Sequence, residues 1–279
     1  MAEASCAQRQ RKLTKLPMIE NKTIWITGAS SGIGSELAVQ LASTANTVVV
    51  SARGQEKLAA LVGRAEALSG RIIPLVYDVI EDEQTESVTG QLSAVVDNLD
   101  IVIICAGYCE YVDNAVLKTD LFRRVFDVNV FGAVNTVNAA MPLLENTVAA
   151  PGERGKPQIV AIASLSAVTA LPRAEAYGAS KAAMIYLFNT LRLDLQNRID
   201  VTIVNPGFVS TPMTAQNDFP MPFLMSPSDA AKRIISGVYK RKYTLNFPLR
   251  LYLSLKLPSL IPYAWHRWLG PRLVRPEKS

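Results

Sequence analysis

Tyr177 and Lys181 stand four apart in Tyr177-Gly178-Ala179-Ser180-Lys181. On a helix that spacing puts both side chains on one face, with the ammonium close to the phenol. A positive neighbour favours phenolate. It draws a group that titrates at about 10 toward the range where it can exchange a proton with an alcohol or a carbonyl oxygen. The spacing alone is common, so its company matters: Ser164 lies thirteen residues earlier, and Asn129 sits in Asn129-Val130-Phe131-Gly132. The four residues form a candidate acid–base set.

A second group of residues points to a nucleotide. In Thr27-Gly28-Ala29-Ser30-Ser31-Gly32-Ile33-Gly34 the glycines permit a tight turn and let backbone approach a pyrophosphate. The phosphate charge would then sit over the N–H groups that open the next helix. The spacing is G-x-x-x-G-x-G and departs from the G-x-G-x-x-G fingerprint. A tight strand-to-helix corner would also use glycines, but a position directly after the first strand favours the nucleotide. No lysine follows them, which disfavours a nucleotide triphosphatase loop.

The next strand ends Val50-Ser51-Ala52-Arg53-Gly54 and offers no carboxylate to the ribose 2′-hydroxyl of NAD. A guanidinium at that tip can fork onto a 2′-phosphate, so NADP (NADPH) is expected in preference to NAD; the bland alternative is a solvated arginine. At Tyr77-Asp78-Val79, Asp78 suits either the adenine amino group or the cap of the following helix.

Composition excludes other chemistry. The chain has 279 residues, 49% hydrophobic and 19% charged, as a globular protein does. One histidine and three cysteines, with Cys105 and Cys109 four apart, are too few soft ligands for a structural zinc site, so no metal is expected. The net charge of +5 is unevenly placed. Residues 1–22 carry five basic and two acidic side chains, residues 23–239 carry 15 and 21, and residues 240–279 carry nine and one. The body is therefore mildly acidic, and no nucleic-acid surface is expected across it. The N-terminus lacks the apolar stretch of a signal peptide, and 249–268 is too interrupted to span a bilayer, so a cytoplasmic protein is expected.

The elements that must carry these residues are legible as short apolar runs: 23–27, 47–51, 72–77, 101–105, 158–163, 199–204 and, more weakly, 243–247. Nearly continuous hydrophobicity marks strands buried on both faces. Helix-patterned segments lie between them, with Leu37, Leu41 and Val48 after the glycine turn and an i, i+4 stripe of Leu187, Leu191 and Leu195 after Tyr177. This predicts an α/β fold, a doubly wound, Rossmann-type parallel sheet of seven strands with helices on both faces. One domain is expected over 23–247, flanked by an N-terminal extension (1–22) and a basic, apolar C-terminal one (248–279). Residues 206–228, broken by five prolines among Met and Phe, read as a packed surface loop or a lid.

Taken in order, Thr27–Gly34, Asp78, Cys105-Ala106-Gly107, Asn129, Ser164, Tyr177, Lys181 and Asn205-Pro206-Gly207 resemble the short-chain dehydrogenase/reductase family, in its short, single-domain branch. The resemblance implies that Tyr177 is the acid–base residue and that Ser164 hydrogen-bonds the substrate oxygen. It gives Lys181 the nicotinamide ribose, Asn129 a proton relay through water, and Pro206-Gly207 with Thr211 the nicotinamide carboxamide. It further places Gly28, Ser30, Ser31, Gly32, Ile33, Gly34, Arg53, Asp78, Val79, Ala106 and Gly107 along the cofactor, and it implies a homo-oligomer. The family usually reads Asn-Asn-Ala-Gly where this chain has Ile104-Cys105-Ala106-Gly107, which removes amides that would brace the sheet.

An NADP-dependent oxidoreductase acting on an alcohol/carbonyl pair follows from the resemblance. The alternative is a catalytically silent NADP-binding regulatory or scaffold protein of the same fold. The extended, sugar-nucleotide branch of the family needs another glycine spacing and more C-terminal chain. A Met/Phe/Pro lid suits an apolar substrate. In the C-terminal extension, leucines alternate from Phe247 to Leu257, which argues for a strand, while Pro248 suits a first helical turn. Its leucines, tryptophans and cations fit either a membrane surface or packing on the fold or a second subunit.

Overall fold

The computed structural model describes residues 19–149 and 155–273. Most of the expected N-terminal extension and the last six residues of the C-terminal one lie outside that range. The seven strands are β1 (Thr23–Thr27), β2 (Thr47–Ala52), β3 (Arg71–Val76), β4 (Ile101–Ile104), β5 (Gln158–Ile162), β6 (Asp200–Pro206) and β7 (Thr244–Phe247). They form one sheet in the order β3-β2-β1-β4-β5-β6-β7, and every pairing is parallel. The doubly wound expectation holds, with strand ends within two residues of those read from the sequence.

Parallel strands need crossovers, and helices supply them: α1 (Gly32–Ala42), α2 (Gln55–Gly63), α3 (Thr85–Val95), α4 (Thr119–Phe126), α5 (Gly132–Ala149), α6 (Glu175–Leu195) and α7 (Pro227–Tyr239). The period-2 alternation of each strand divides the core in two. Ile24 and Ile26 of β1 pack with Leu37 and Leu41 of α1 and Ile234 of α7. Trp25, between them, faces the other way, to the side holding Leu92 of α3, Leu143 of α5 and Phe188 of α6. Leu195 is buried on that side, with Leu187 and Leu191 packed against it. Covering both faces is what makes these strands apolar throughout.

The β4–β5 crossover holds two helices, joined by a π-helical turn over Asp127–Phe131. That extra residue per turn is where Asn129 sits, and such turns recur at functional sites. The proline-broken stretch after β6 carries a single short helical turn, Thr214–Gln216, and ends where Ser226 Oγ accepts from Asp229 N at 3.0 Å with Pro227 in the first turn of α7. After β7 the chain forms helix α8 (Leu249–Ser259), so the alternation of leucines does not make a strand. Leucines are good helix formers, and as a helix the segment satisfies its backbone internally.

The strand order reverses between β1 and β4, and a parallel α/β sheet opens its crevice at the carboxyl ends of the strands at such a point.

Candidate active site

A cavity of about 590 Å³ opens at that switch point. Its lining includes Gly28, Ser30, Ser31, Gly32, Ile33 and Gly34 from the turn after β1, Arg53 after β2, and Asp78 and Val79 after β3. From the other half come Ala106 and Gly107 after β4, Ser164 after β5, Tyr177 and Lys181 on α6, and Pro206, Gly207 and Thr211 after β6. Every predicted site residue except Asn129 therefore lines one cavity. Asn129 is buried directly behind it.

The glycine turn is shaped for close approach. Gly28 has φ +68, and a Cβ there would lie 2.5 Å from the backbone of Ala106; a Cβ on Gly34 would lie 2.4 Å from the Gly28 carbonyl. No side chain caps the N-terminus of α1, whose first residues line the cavity. Uncapped N–H groups at a helix start suit an anion. A Cβ on Gly32, at φ +57, would meet the Thr211 side chain at 2.9 Å, so the loop after β6 lies against the turn. These features fit a dinucleotide.

At the far end of the cavity, the Arg53 side chain is 76% exposed and its Nη1 lies 4.0 Å from Asp78 Oδ2. Asp78 also accepts from Ile80 N at 3.4 Å, a local turn rather than the cap of α3, which begins at Thr85. An exposed pair at that distance leaves the guanidinium free to reorient.

The catalytic end is built differently. Asn129 Oδ1 accepts from Tyr108 N at 2.8 Å, and Nδ2 donates to Tyr108 O and to Ser180 Oγ, both at 2.9 Å. Ser180 Oγ donates onward to Tyr177 O at 2.8 Å. Asn129 therefore ties the β4 loop to the first turns of α6. Both amide hydrogens are engaged, so only its oxygen is left to contribute to any water relay. A Cβ on Gly107 would already touch Asn129 Oδ1 and Lys181 Nζ, at 3.4 and 3.5 Å. Ser164 Oγ accepts from Ser166 N at 3.1 Å and Ser166 Oγ at 2.9 Å. Its own proton is directed toward the Tyr177 oxygen, the place where a ligand oxygen would also meet it.

Lys181 is 3% exposed; its Nζ donates to Ile162 O at 3.0 Å and lies 5.8 Å from the centre of the Tyr177 ring. Burial pulls its ammonium down to about 8. The expected lowering of Tyr177 does not occur in the protein alone. Burial holds the phenol above the ordinary tyrosine range, nearby Cys109 adds to the rise, and the Ser164 hydroxyl opposes it. Burial dominates, and Lys181 directs its proton at the Ile162 carbonyl on the strand instead. Tyr177 accordingly rests as a protonated donor.

Several participants carried no signal in the sequence. Tyr108 acts through its backbone, and Ser166 is one of many serines. Cys105 and Cys109 are free, and burial pushes both thiols up to about 11, which makes them unreactive packing groups near the site. Arg173 donates to Asp113 Oδ1 at 2.7 Å and to Asp218 Oδ1 at 3.0 Å. Beside it Tyr111 donates to Asn217 Oδ1 at 2.9 Å, and the Phe219 ring meets those of Tyr111 and Phe208 edge-on. Arg173 thus latches the loop after β6 to the loops after β4 and β5.

Residues 22–220 match the profile of the short chain dehydrogenase family. The chain belongs to that family. This short-chain dehydrogenase is 33% identical over 242 residues to an uncharacterized oxidoreductase of Myxococcus xanthus, covering 86% of this chain and 93% of that one. Two solved structures share the fold at 22% identity. RhlG of Pseudomonas aeruginosa, in an NADP active-site complex, has a TM-score of 0.77 over 86% of this chain and 100% of its own. A 7α-hydroxysteroid dehydrogenase complexed with NADH and 7-oxo glycochenodeoxycholic acid has a TM-score of 0.74 over 83% and 94%. As a short-chain dehydrogenase, the protein is an NAD(P)-dependent oxidoreductase of alcohol/carbonyl pairs.

Proposed function

We propose that the protein interconverts an apolar carbonyl compound and its alcohol with NADP(H), using Tyr177 as the acid–base residue. The observation that carries this reading is the gathering of Ser164, Tyr177 and Lys181 at one end of a single cavity whose other end is Arg53.

When bound, NADP(H) supplies or takes up the hydride. Gly28, Ser30, Ser31, Gly32, Ile33 and Gly34 would receive the pyrophosphate, Arg53 the 2′-phosphate, and Asp78 and Val79 the adenine. Ala106 and Gly107 would line the adenosine, Lys181 would bind the nicotinamide ribose, and Pro206, Gly207 and Thr211 would seat the carboxamide. In the reductive direction, the Tyr177 hydroxyl donates its proton to the carbonyl oxygen while Ser164 donates a hydrogen bond to the same oxygen. In the oxidative direction the Lys181 charge stabilises the phenolate that must accept that proton. Asn129 holds Tyr108 and Ser180 so that these groups keep their places.

The substrate side favours an apolar molecule, because Val209, Pro212 and Met213 line the cavity where the loop after β6 crosses it. Free Cys105 and Cys109 suit a reducing, cytoplasmic compartment. The family expectation of a homo-oligomer is kept as part of this reading.

The test is a turnover screen with NADPH and NADH over ketones and aldehydes of graded chain length and ring number, alongside Tyr177→Phe. NADPH should be preferred, and kcat/KM should rise with apolar size. Tyr177→Phe should bind NADPH normally and lose at least about 100-fold in turnover. Undiminished turnover by Tyr177→Phe removes the assignment. Tight NADPH binding with no turnover on any substrate points to the silent, regulatory reading.

A further inference from the structure

Helix α8 has two unlike sides. Leu251 is buried, and its Cδ2 would stand 2.6 Å from a Cβ on Gly207 in the cavity wall. Leu249, Leu253 and Leu257, at i, i+4 and i+8, lie together on another side and are 60, 44 and 61% exposed. Leu260, Ile261, Tyr263 and Trp268 follow, each at least 60% exposed. At about 100° of turn per residue, Arg250 and Lys256 border the leucine stripe, one along each edge. Arg267 stands 5.6 Å from the centre of the Trp268 ring, and Arg272 is exposed beyond it. No carboxylate occurs between residues 249 and 273.

We propose that this face docks on the surface of an anionic lipid bilayer. Exposed leucines edged by cations suit the headgroup boundary, where alkyl stems stay in the apolar layer and the charges reach lipid phosphates. Exposed Tyr and Trp suit the same depth. Charge argues against a second copy as the occupant. Isologous pairing would set this cation-bearing face, with no acidic residue, against itself. The face is anchored to the fold: Trp265 is buried, and its Nε1 donates to Ala170 O at 3.1 Å, in the loop between Ser164 and α6. No described helix is long and apolar enough to cross a membrane, so the attachment is to one leaflet.

Gly207 lines the catalytic cavity, and Leu251 rests on it. Docking would therefore hold that cavity beside the bilayer, where an apolar carbonyl compound is concentrated. This last consequence rests on the oxidoreductase reading; the docking itself does not.

The experiment is co-sedimentation of the full-length protein with phosphatidylcholine vesicles, with and without phosphatidylglycerol. The wild type should pellet with the anionic vesicles and be released by salt. Leu253→Asp combined with Leu257→Asp should lower partitioning at least about tenfold. Arg250→Gln and Lys256→Gln should each lower it about fivefold on anionic vesicles only. NADPH affinity, unfolding midpoint and turnover of a water-soluble ketone should be unchanged in all variants, which separates a failure of docking from a failure of the oxidoreductase reading. The proposal is overturned if the wild type does not pellet, or if the paired leucine substitution leaves pelleting unchanged. It is also overturned if that substitution splits an oligomer in sedimentation velocity while the wild type ignores vesicles.

Discussion

The two ends of the cavity are held by opposite means. At the catalytic end, Asn129, Ser180 and Lys181 are buried and each is bonded to backbone of another element or turn. At the nucleotide end, Arg53 projects into solvent and meets Asp78 at 4.0 Å. Buried polar groups must be satisfied, and satisfying them from the backbone fixes their positions before any ligand arrives. An exposed arginine is fixed only by what it binds. On the proposed reading, the difference teaches that the reaction geometry would be built into the fold, while the choice between the two nicotinamide cofactors would hang on an exposed group at the rim.

The strongest way to break this comparison is Asn129→Leu. It leaves Tyr108 and Ser180 without their buried partner, at a cost of about 2 kcal/mol or more, and turnover should fall about 100-fold. A denaturant midpoint and a kcat equal to those of the wild type would show that the catalytic end is not preorganised by this residue. Arg53→Ala should act at the other end alone. Loss of a charge-assisted contact worth about 1.5–3 kcal/mol raises the KM for NADPH roughly 10-fold or more, with NADH kinetics and the unfolding midpoint unchanged.

A third prediction uses pH. Lys181 loses its proton at about 8 in the folded chain against an ordinary value of 10.5. Between those values the unfolded chain binds the proton that the folded chain has released, so this group's contribution to stability rises with pH. The slope is at most about 1.4 kcal/mol per pH unit. The raised thiols of Cys105 and Cys109 act in the opposite sense above pH 9. The difference in unfolding free energy between wild type and Lys181→Met should therefore climb from pH 8 to 9; a flat difference would place Lys181 outside the buried set. The smallest effect is expected at the latch. Arg173→Ala breaks bonds to two exposed carboxylates, so stability should change by less than about 1 kcal/mol. The KM for the carbonyl substrate should rise a few-fold as the loop after β6 loosens, with NADPH affinity retained.

How legible each region was in the sequence follows from the same physics. The strands could be read because burial on both faces leaves them continuously apolar, and Tyr177, Lys181, Ser164 and the glycine turn because their spacings are local. Helix α8 could not be read, since leucines at every second position satisfy a strand and, at every fourth, a helix stripe as well. Arg173 gave no sign of its role because Asp113 and Asp218 lie 60 and 45 residues away. The raised phenol of Tyr177 was not legible for a related reason. The i, i+4 spacing to Lys181 is local, but the burial that raises the phenol is contributed by distant parts of the chain.

The sequence by itself determined the order of the elements, the sheet they must form and the residue types able to move a proton and hold a dinucleotide. These rest on side-chain period and short spacings, which the backbone enforces within a turn or a strand. Tertiary structure alone decided that those residues converge on one cavity, that Asn129 braces rather than lines it, and that after β7 Leu251 turns inward while Leu249, Leu253 and Leu257 face outward. Each of these depends on which surfaces are withdrawn from water when distant segments pack, and no local pattern encodes that.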